Sequence, residues 1–372
     1  MNRNTTLQGA FARFALCLLC TFASLSTNAQ RITWSVTGTT EGLWNITDGK
    51  VGWCNLLEAD MQTGLWKGAS LDLAALATYN LNTPVADDLQ VFSNLDAGPD
   101  KAFRLIQAGL SQQIGEHFMV FAGLRNVDFD YFTTPSTGLF TNASHGILPV
   151  LTANFPIATF PVAALCLHTE IRPVKGLIIR ESVYNGTASD RLDEQFRFCP
   201  KSDGVFNIGS VSYYTGESEE EHTGHYTLGY ALGTSPAEGI ENDLTYNYAL
   251  WALIEQDIVK IGRTQLSGLL QGGAAPATRS SCRGYWGAGL LLGNITKNEA
   301  QIGIVVNRAL YADGRETDVE FTGSFPVCKY FTLQPPVHCI NTNGHYTAAA
   351  QLRAIVEIGN LALRLYQKRG MK

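Results

Sequence analysis

The feature that most constrains this chain is a long succession of short segments in which apolar and polar residues alternate. In the segment at residues 117–125, Phe118, Val120 and Leu124 share one face, whereas Arg125 lies on the other. A period of two is typical of a β-strand with one apolar and one polar face. After the N-terminal leader we find no segment with the 3.6-residue period of a helix, so the chain is predicted to be all-β.

Clusters of Gly, Asn, Asp and Pro separate about fourteen convincing strands and leave room for about two more. The predicted strands cover residues 68–80, 103–113, 117–125, 161–170, 176–185, 204–215, 225–233, 244–255, 259–270, 284–293, 301–311, 317–328, 331–341 and 349–363. Bacterial single-chain barrels have even strand numbers, so 14 and 16 strands are the candidates. Of these, a barrel of about 16 strands is our prediction. An exported β-sandwich is the soluble alternative.

Composition favours a membrane barrel over a soluble domain. Only 16% of the residues are charged, against about 25% in a typical soluble domain. No apolar run after the leader reaches the roughly 20 residues of a spanning helix, and a transmembrane barrel exposes half of each strand to lipid. The net charge of −6 and the absence of a basic cluster argue against nucleic-acid binding.

The ends of the chain suggest export. Residues 1–29 are predicted to be a signal peptide, with a short apolar run and a small-residue cleavage site; an uncleaved anchor is the alternative. Residues 30–67 are irregular and are interpreted as either a periplasmic segment or the first strand; the candidate strand in this region is 32–38. Residues 68–366 are assigned to the barrel, and residues 367–372 to a short basic tail.

Six cysteines lie outside the leader, at positions 54, 166, 199, 282, 328 and 339. An even number in an exported chain permits three disulfides, but the wide spacing is equally consistent with isolated apolar thiols. No zinc-ligand spacing follows the leader, so neither a metal nor a cofactor is predicted.

The central hairpin at residues 103–125 carries a long loop, residues 126–160, which is rich in aromatic residues, glycine and proline. A barrel would place such a loop where it narrows the lumen, and we therefore predict an inward-folded constriction loop.

Several segments resemble the carbohydrate-selective porin family of the OprB type. Each is short, but they occur in the family's order: GLRNVDFD at 123–130, FTNASHG at 140–146, YALWALIEQ at 248–256, YWGAGL at 285–290, and ETDVE at 316–320 followed by FTLQP at 331–335. The resemblance implies a 16-stranded outer-membrane barrel, without enzyme activity, through which sugars of the glucose type diffuse passively. The chain departs from this pattern at its C-terminus, which is not aromatic.

Selectivity in such a pore depends on its diameter and on the polar groups that line it. The hairpin and loop offer Arg125, Asp128, Asp130, Asn142 and His145. The inward-facing parity of the wall offers Asn247, Glu255, Arg353 and Glu357. These nine residues are the predicted pore constriction.

Structural roles compete with sugar contact for some of these residues. Asn142 and His145 are equally consistent with a turn that caps backbone groups, and Arg353 with Glu357 is better explained as a salt bridge within the wall. Trp251 and Trp286 are interpreted as wall or girdle residues. The acidic run at 217–222 is interpreted as a solvated loop in preference to a calcium site.

The functional alternatives are a general non-selective porin and a plugged barrel used for adhesion or structure. A hydrolase is not supported, because no G-x-S-x-G motif or converging acid–base set exists. The expected partners are small sugars and outer-membrane lipid. The oligomeric state, monomer or homotrimer, is left open.

Overall fold

The chain forms one closed antiparallel β-barrel. The computed structural model describes residues 32–81, 85, 92–95, 103–189, 191–219, 221–236 and 243–360. Successive strands pair with each other around the wall, and the last strand pairs with the first, from Ser35 opposite Gly359 to Asn45 opposite Ala349. A sheet closed in this way has no free edge, which satisfies the backbone hydrogen bonds without water.

The wall is built from seventeen strand segments: β1 Ile32–Asn45, β2 Val51–Gly64, β3 Ala69–Leu81, β4 Arg104–Ile114, β5 Phe118–Arg125, β6 Ala164–Val174, β7 Leu177–Asn185, β8 Val205–Gly216, β9 His222–Pro236, β10 Leu244–Ile261, β11 Thr264–Ala274, β12 Cys282–Gly293, β13 Gln301–Tyr311, β14 Arg315–Cys328, β15 Phe331–Gln334, β16 Val337–Thr342 and β17 His345–Gly359. Segments β15 and β16 both pair with β14 and with β17, so they are two pieces of one strand. Pro335 and Pro336, which cannot donate to a ladder, interrupt it. The barrel therefore has sixteen strands, and the predicted fold class is confirmed.

The predicted alternation separates an outer face from an inner face. Leu228, Leu250 and Leu352 point outward and are 65%, 59% and 59% exposed. Their neighbours one residue along, such as Trp251 and Arg353, point inward and are buried. An apolar exterior with a polar interior is the pattern of a barrel surrounded by lipid.

Two predicted boundaries are wrong. Residues 32–64 are not irregular, because β1 and β2 are full strands of the wall that pair with each other; the barrel thus begins at Ile32 and not at residue 68. The turn predicted near residue 257 lies instead at Gly262, where φ is +64°. A bulge between Asp257 and Val259 breaks the alternation without ending β10.

The largest apolar core lies inside the barrel. Residues from the loop between β5 and β6, including Val127, Leu148 and Leu151, pack there against Phe206 and Trp251 of the wall. The described residues contain no helix long and apolar enough to cross a membrane. Within the described part of the chain, none of the six cysteines outside the leader forms a disulfide. The predicted signal peptide and C-terminal tail lie outside the described residues.

Candidate pore-lining site

The loop between β5 and β6, residues 126–163, lies against the inner face of the wall. It forms hydrogen bonds with inward-facing side chains of strands far apart in sequence: Ser182 of β7, Glu255 of β10, Gln271 of β11, Asn307 of β13, Glu320 of β14 and Gln334 of β15. The arc of the wall from β7 to β15, on which these six strands lie, covers more than half of the circumference. The loop is therefore tied to the wall along much of its length.

At the start of the loop, Arg125 and Asp130 form a buried ion pair. The Nε and Nη2 atoms of Arg125 each lie 2.5 Å from a carboxylate oxygen of Asp130. The guanidinium also lies over the rings of Phe121 and Phe129, at 4.7 and 5.4 Å from their centroids. A bidentate pair with aromatic stacking fixes the orientation of both side chains.

Asp128 is partly exposed and also organises the loop. Its carboxylate accepts a hydrogen bond of 3.0 Å from the backbone N–H of Phe160, near the far end of the loop. Burial raises the pKa of Asp128 to about 6, because a charged carboxylate is disfavoured where water is scarce.

Asn142 and His145 are buried and fully engaged with protein groups. Asn142 caps a 3₁₀ turn through the N–H of Ser144 and donates to Asp318 at 2.8 Å. His145, 0% exposed, contacts Gln271 Oε1 at 3.1 Å and Asn307 Nδ2 at 2.9 Å. Burial lowers the pKa of His145 to about 4. Both residues anchor the loop; Asn142 does so partly by capping a backbone group, as the alternative interpretation predicted, whereas the His145 ring contacts side chains of the wall.

The four predicted wall residues face inward, but three of them hold loops. Glu255 accepts from the N–H of Ser136 at 3.3 Å and contacts His222 at 3.0 Å. Arg353 pairs with Glu41 at 2.5 Å, not with Glu357 as predicted.

The side chain of Arg353 also donates to Asn94 at 2.7 Å. Asn247 donates to the carbonyl of Arg279 at 3.2 Å. Glu357 remains partly exposed on the inner face.

A cavity of about 510 Å³ lies between loop residues 129–135 and the inner faces of β7 to β10. Of the nine predicted site residues, only Asp130 lines this cavity. The wall contributes Arg180, His225 and Trp251 to its lining, together with Glu219 from the turn after β8. The Trp251 indole fits because Gly229 lies beneath it; a Cβ there would meet the ring at 2.2 Å.

Two buried polar atoms of this lining have no hydrogen-bond partner among the described residues. They are Nε1 of Trp251 and Nδ1 of His225, whose residues are 2% and 5% exposed. Buried polar groups are nearly always hydrogen-bonded. Both atoms are covered by neighbouring groups, so a small shift of the side chain is needed before water or a solute hydroxyl group can bind them.

An ion-pair cluster forms the charged side of the cavity. Arg180 contacts Glu219 at 2.7 Å and Glu170 at 2.8 Å, and Arg172 bridges the same two glutamates. Burial alone would raise the pKa of Glu219, but the two guanidinium groups bring it below its ordinary value. The prediction that this acidic turn is merely solvated is wrong for Glu219.

Sequence reasoning missed Arg180 and His225 as lining residues, and it interpreted Trp251 as a wall or girdle residue although that residue has inward parity. All three occupy inward positions of strands that were predicted, so the alternation alone could have assigned them to the lumen. Which inward residues line a cavity, and which anchor a loop, depends on the path of residues 126–163.

A closed sixteen-stranded barrel with an apolar exterior and a long loop tied to its inner wall has the architecture of a porin. A family profile described as carbohydrate-selective porin, OprB family, matches residues 51–332. The chain belongs to this family, and its members are channels rather than enzymes. Among curated proteins, no relative matches the chain.

Solved porin structures share the fold at low sequence identity. The high-pH structure of Pseudomonas putida OprB aligns with a TM-score of 0.75 and 14% identity over 91% of this chain and 96% of that one. An anion-selective porin from Comamonas acidovorans aligns with a TM-score of 0.57 and 13% identity over 88% and 100% of the two chains. Salmonella typhi OmpF, in complex with daunomycin, gives 0.58 and 9% over 88% and 98%.

Proposed function

We propose that this porin lies in the bacterial outer membrane, where neutral sugars of the glucose type diffuse through it into the periplasm. We further propose that the cavity between loop residues 129–135 and strands β7 to β10 is the narrow part of their path. The observation that carries this proposal is the pair of unpartnered polar atoms, Trp251 Nε1 and His225 Nδ1, in the cavity lining.

The chemistry of the lining suits a sugar. Hydroxyl groups need donors and acceptors at several angles, which Arg180, Glu219 and His225 supply. The apolar face of a pyranose ring packs on aromatic rings, and the rings of Phe132 and Trp251 lie together with centroids 4.4 Å apart. An amino acid of similar size carries two charges and would gain less from this combination.

In this proposal the predicted site residues have three kinds of role: solute contact, positioning and charge. Asp130 touches the passing solute, and Arg125 positions Asp130. Asn142, His145, Asn247, Glu255 and Arg353 hold the loops that shape the path. Asp128 and Glu357 contribute charge to the inner face.

Liposome swelling with the refolded protein tests the proposal. Wild type should admit glucose faster than an amino acid of matched size. Trp251→Phe keeps the ring but removes the N–H, so glucose entry should fall about fivefold if one hydrogen bond of about 1 kcal/mol is lost. Trp286→Phe is the matched control, because Trp286 lies on the outer face and is 42% exposed.

Equal swelling rates for the two solutes would identify a general pore. The absence of swelling from a correctly folded barrel would identify a plugged one. Either result would refute the proposal.

A further inference from the structure

A second cluster of chemically capable side chains lies away from the cavity, on strands β14 and β16. It consists of Asp318, Glu320 and His338, which are 0%, 0% and 4% exposed. Glu320 is directly opposite His338 in the strand register, and Asp318 is two positions earlier on the same inner face. One ligand atom from each residue lies within 4.8 Å of the others.

The polar atoms of this cluster are incompletely satisfied. One oxygen of Asp318 contacts Nδ1 of His338 at 2.9 Å and accepts from Asn142 at 2.8 Å. The other oxygen, Oδ1, is buried and has no hydrogen-bond partner in the part of the chain that the structure describes. A buried carboxylate oxygen without a donor is costly, which indicates that a further group binds there.

The charges of the cluster are also unbalanced. In their ionised forms the two carboxylates would carry two negative charges, whereas His338 can supply only one positive charge. Among the described residues, no lysine or arginine forms an ion pair with Asp318 or Glu320. Buried charges normally have a counter-charge or coordinate a metal, and a divalent cation would supply the missing charge.

We propose that Asp318, Glu320 and His338 bind one divalent first-row transition metal ion, such as zinc. One imidazole nitrogen and two carboxylate oxygens form a ligand set that zinc accepts, with a fourth position left for water. Tetrahedral bonds of about 2.1 Å separate neighbouring ligands by about 3.4 Å. The contact of 2.9 Å between His338 and Asp318 therefore has to open by only about half an ångström.

The metal ion would also help to fix the position of the loop at residues 126–163. Glu320 accepts hydrogen bonds from the backbone N–H groups of Thr141 and Asn142, at 2.8 and 3.1 Å. An ion held by Glu320 would therefore fix the wall side of this attachment. This inference does not depend on which solute the porin admits.

Zinc titration of the purified barrel in detergent tests the proposal, after removal of bound metal with a chelator. Wild type should bind about one zinc ion per chain, and its Tm should rise with zinc concentration. His338→Gln and Asp318→Asn should each weaken zinc binding about tenfold or more. His117→Gln is the matched control, because His117 lies in an exposed turn.

Folding of each variant is checked by the heat-dependent migration of the barrel on a gel. Should a variant fail to fold, cobalt substitution in wild type gives an independent test, since a ligated tetrahedral Co²⁺ ion has intense visible absorption bands. The proposal is overturned if wild type binds no more zinc than His338→Gln. It is also overturned if wild type shows no visible absorption band when cobalt is added after removal of bound metal with a chelator.

Discussion

Charged side chains on the inner face of the barrel fall into two groups. In the first, opposite charges pair in buried positions, as Arg125 does with Asp130 and Arg353 with Glu41. These pairs hold loops in place, and removing one partner would leave an uncompensated buried charge. The second group consists of partly exposed carboxylates, among them Asp128, which face the lumen.

At the residue scale, the charge of Asp128 should make ion selectivity depend on pH. Its pKa is raised to about 6 by burial, so the side chain is neutral below that pH and negative above it. Cation preference should therefore increase as pH rises from about 5 to about 7. Reversal potentials measured across a salt gradient at several pH values would show this increase.

Asp128→Asn should reduce the pH dependence in that range. Asp193→Asn is the matched control, because Asp193 lies in an outer loop beside Arg191 and should leave selectivity unchanged. A pH profile of Asp128→Asn identical to that of wild type would rule out this role for Asp128.

At the scale of elements, the strands and the inner loop are stabilised by different means. The strands share a continuous backbone ladder around the wall. The loop relies on side-chain contacts to the wall and on the apolar core that includes Leu148 and Leu151. Single substitutions should therefore weaken the attachment of the loop while they leave the barrel intact.

Asn142→Ala should loosen the loop without unfolding the barrel. The substitution removes the cap to Ser144 and the bond to Asp318, a loss of about 2 kcal/mol or more. Limited proteolysis in detergent should then cut residues 126–163 faster than in wild type.

The matched control is Asn298→Ala. Asn298 lies in an exposed turn and makes only a contact of 3.5 Å to Pro326. If both variants are cut at the wild-type rate, Asn142 does not anchor the loop.

At the scale of the whole molecule, one sector of the inner wall is acidic. Glu58 and Asp60 lie on β2 and Glu357 lies on β17, the two strands that flank β1, and all three side chains are partly exposed. A lumen lined by charge of one sign concentrates ions of the opposite sign. The acidic net charge of the chain, −6, acts in the same direction.

The triple variant Glu58→Gln, Asp60→Asn, Glu357→Gln should therefore shift the cation-to-anion permeability ratio toward unity. Single-channel reversal potentials in a KCl gradient of roughly 10:1 would measure this shift. The shift should be smaller at higher salt concentration, because salt screens the charges. Glu181→Gln is the control, because the Glu181 carboxylate bonds to Tyr230 on the outward parity of β7 and β9. An unchanged ratio in the triple variant would show that ions pass elsewhere in the lumen.

The alternation of apolar and polar residues is enough to predict a barrel and the side of each strand that faces inward. Alternation is a local property, because successive side chains of a strand point to opposite faces whatever the rest of the chain does. It therefore predicted β13 at residues 301–311 without error and placed Asn247, Glu255, Arg353 and Glu357 on the inner face. It failed where alternation is broken or obscured, as in β1 and β2 and at the bulge in β10.

The contacts that each inward residue makes depend on the tertiary structure. Asn142 meets Asp318 across 176 residues, and Arg353 meets Glu41 across 312. Such contacts depend on closure of the barrel and on the path of the inner loop, neither of which leaves a periodic signal in the sequence. For the same reason, Glu320 and His338 become neighbours only because β14 pairs with β16.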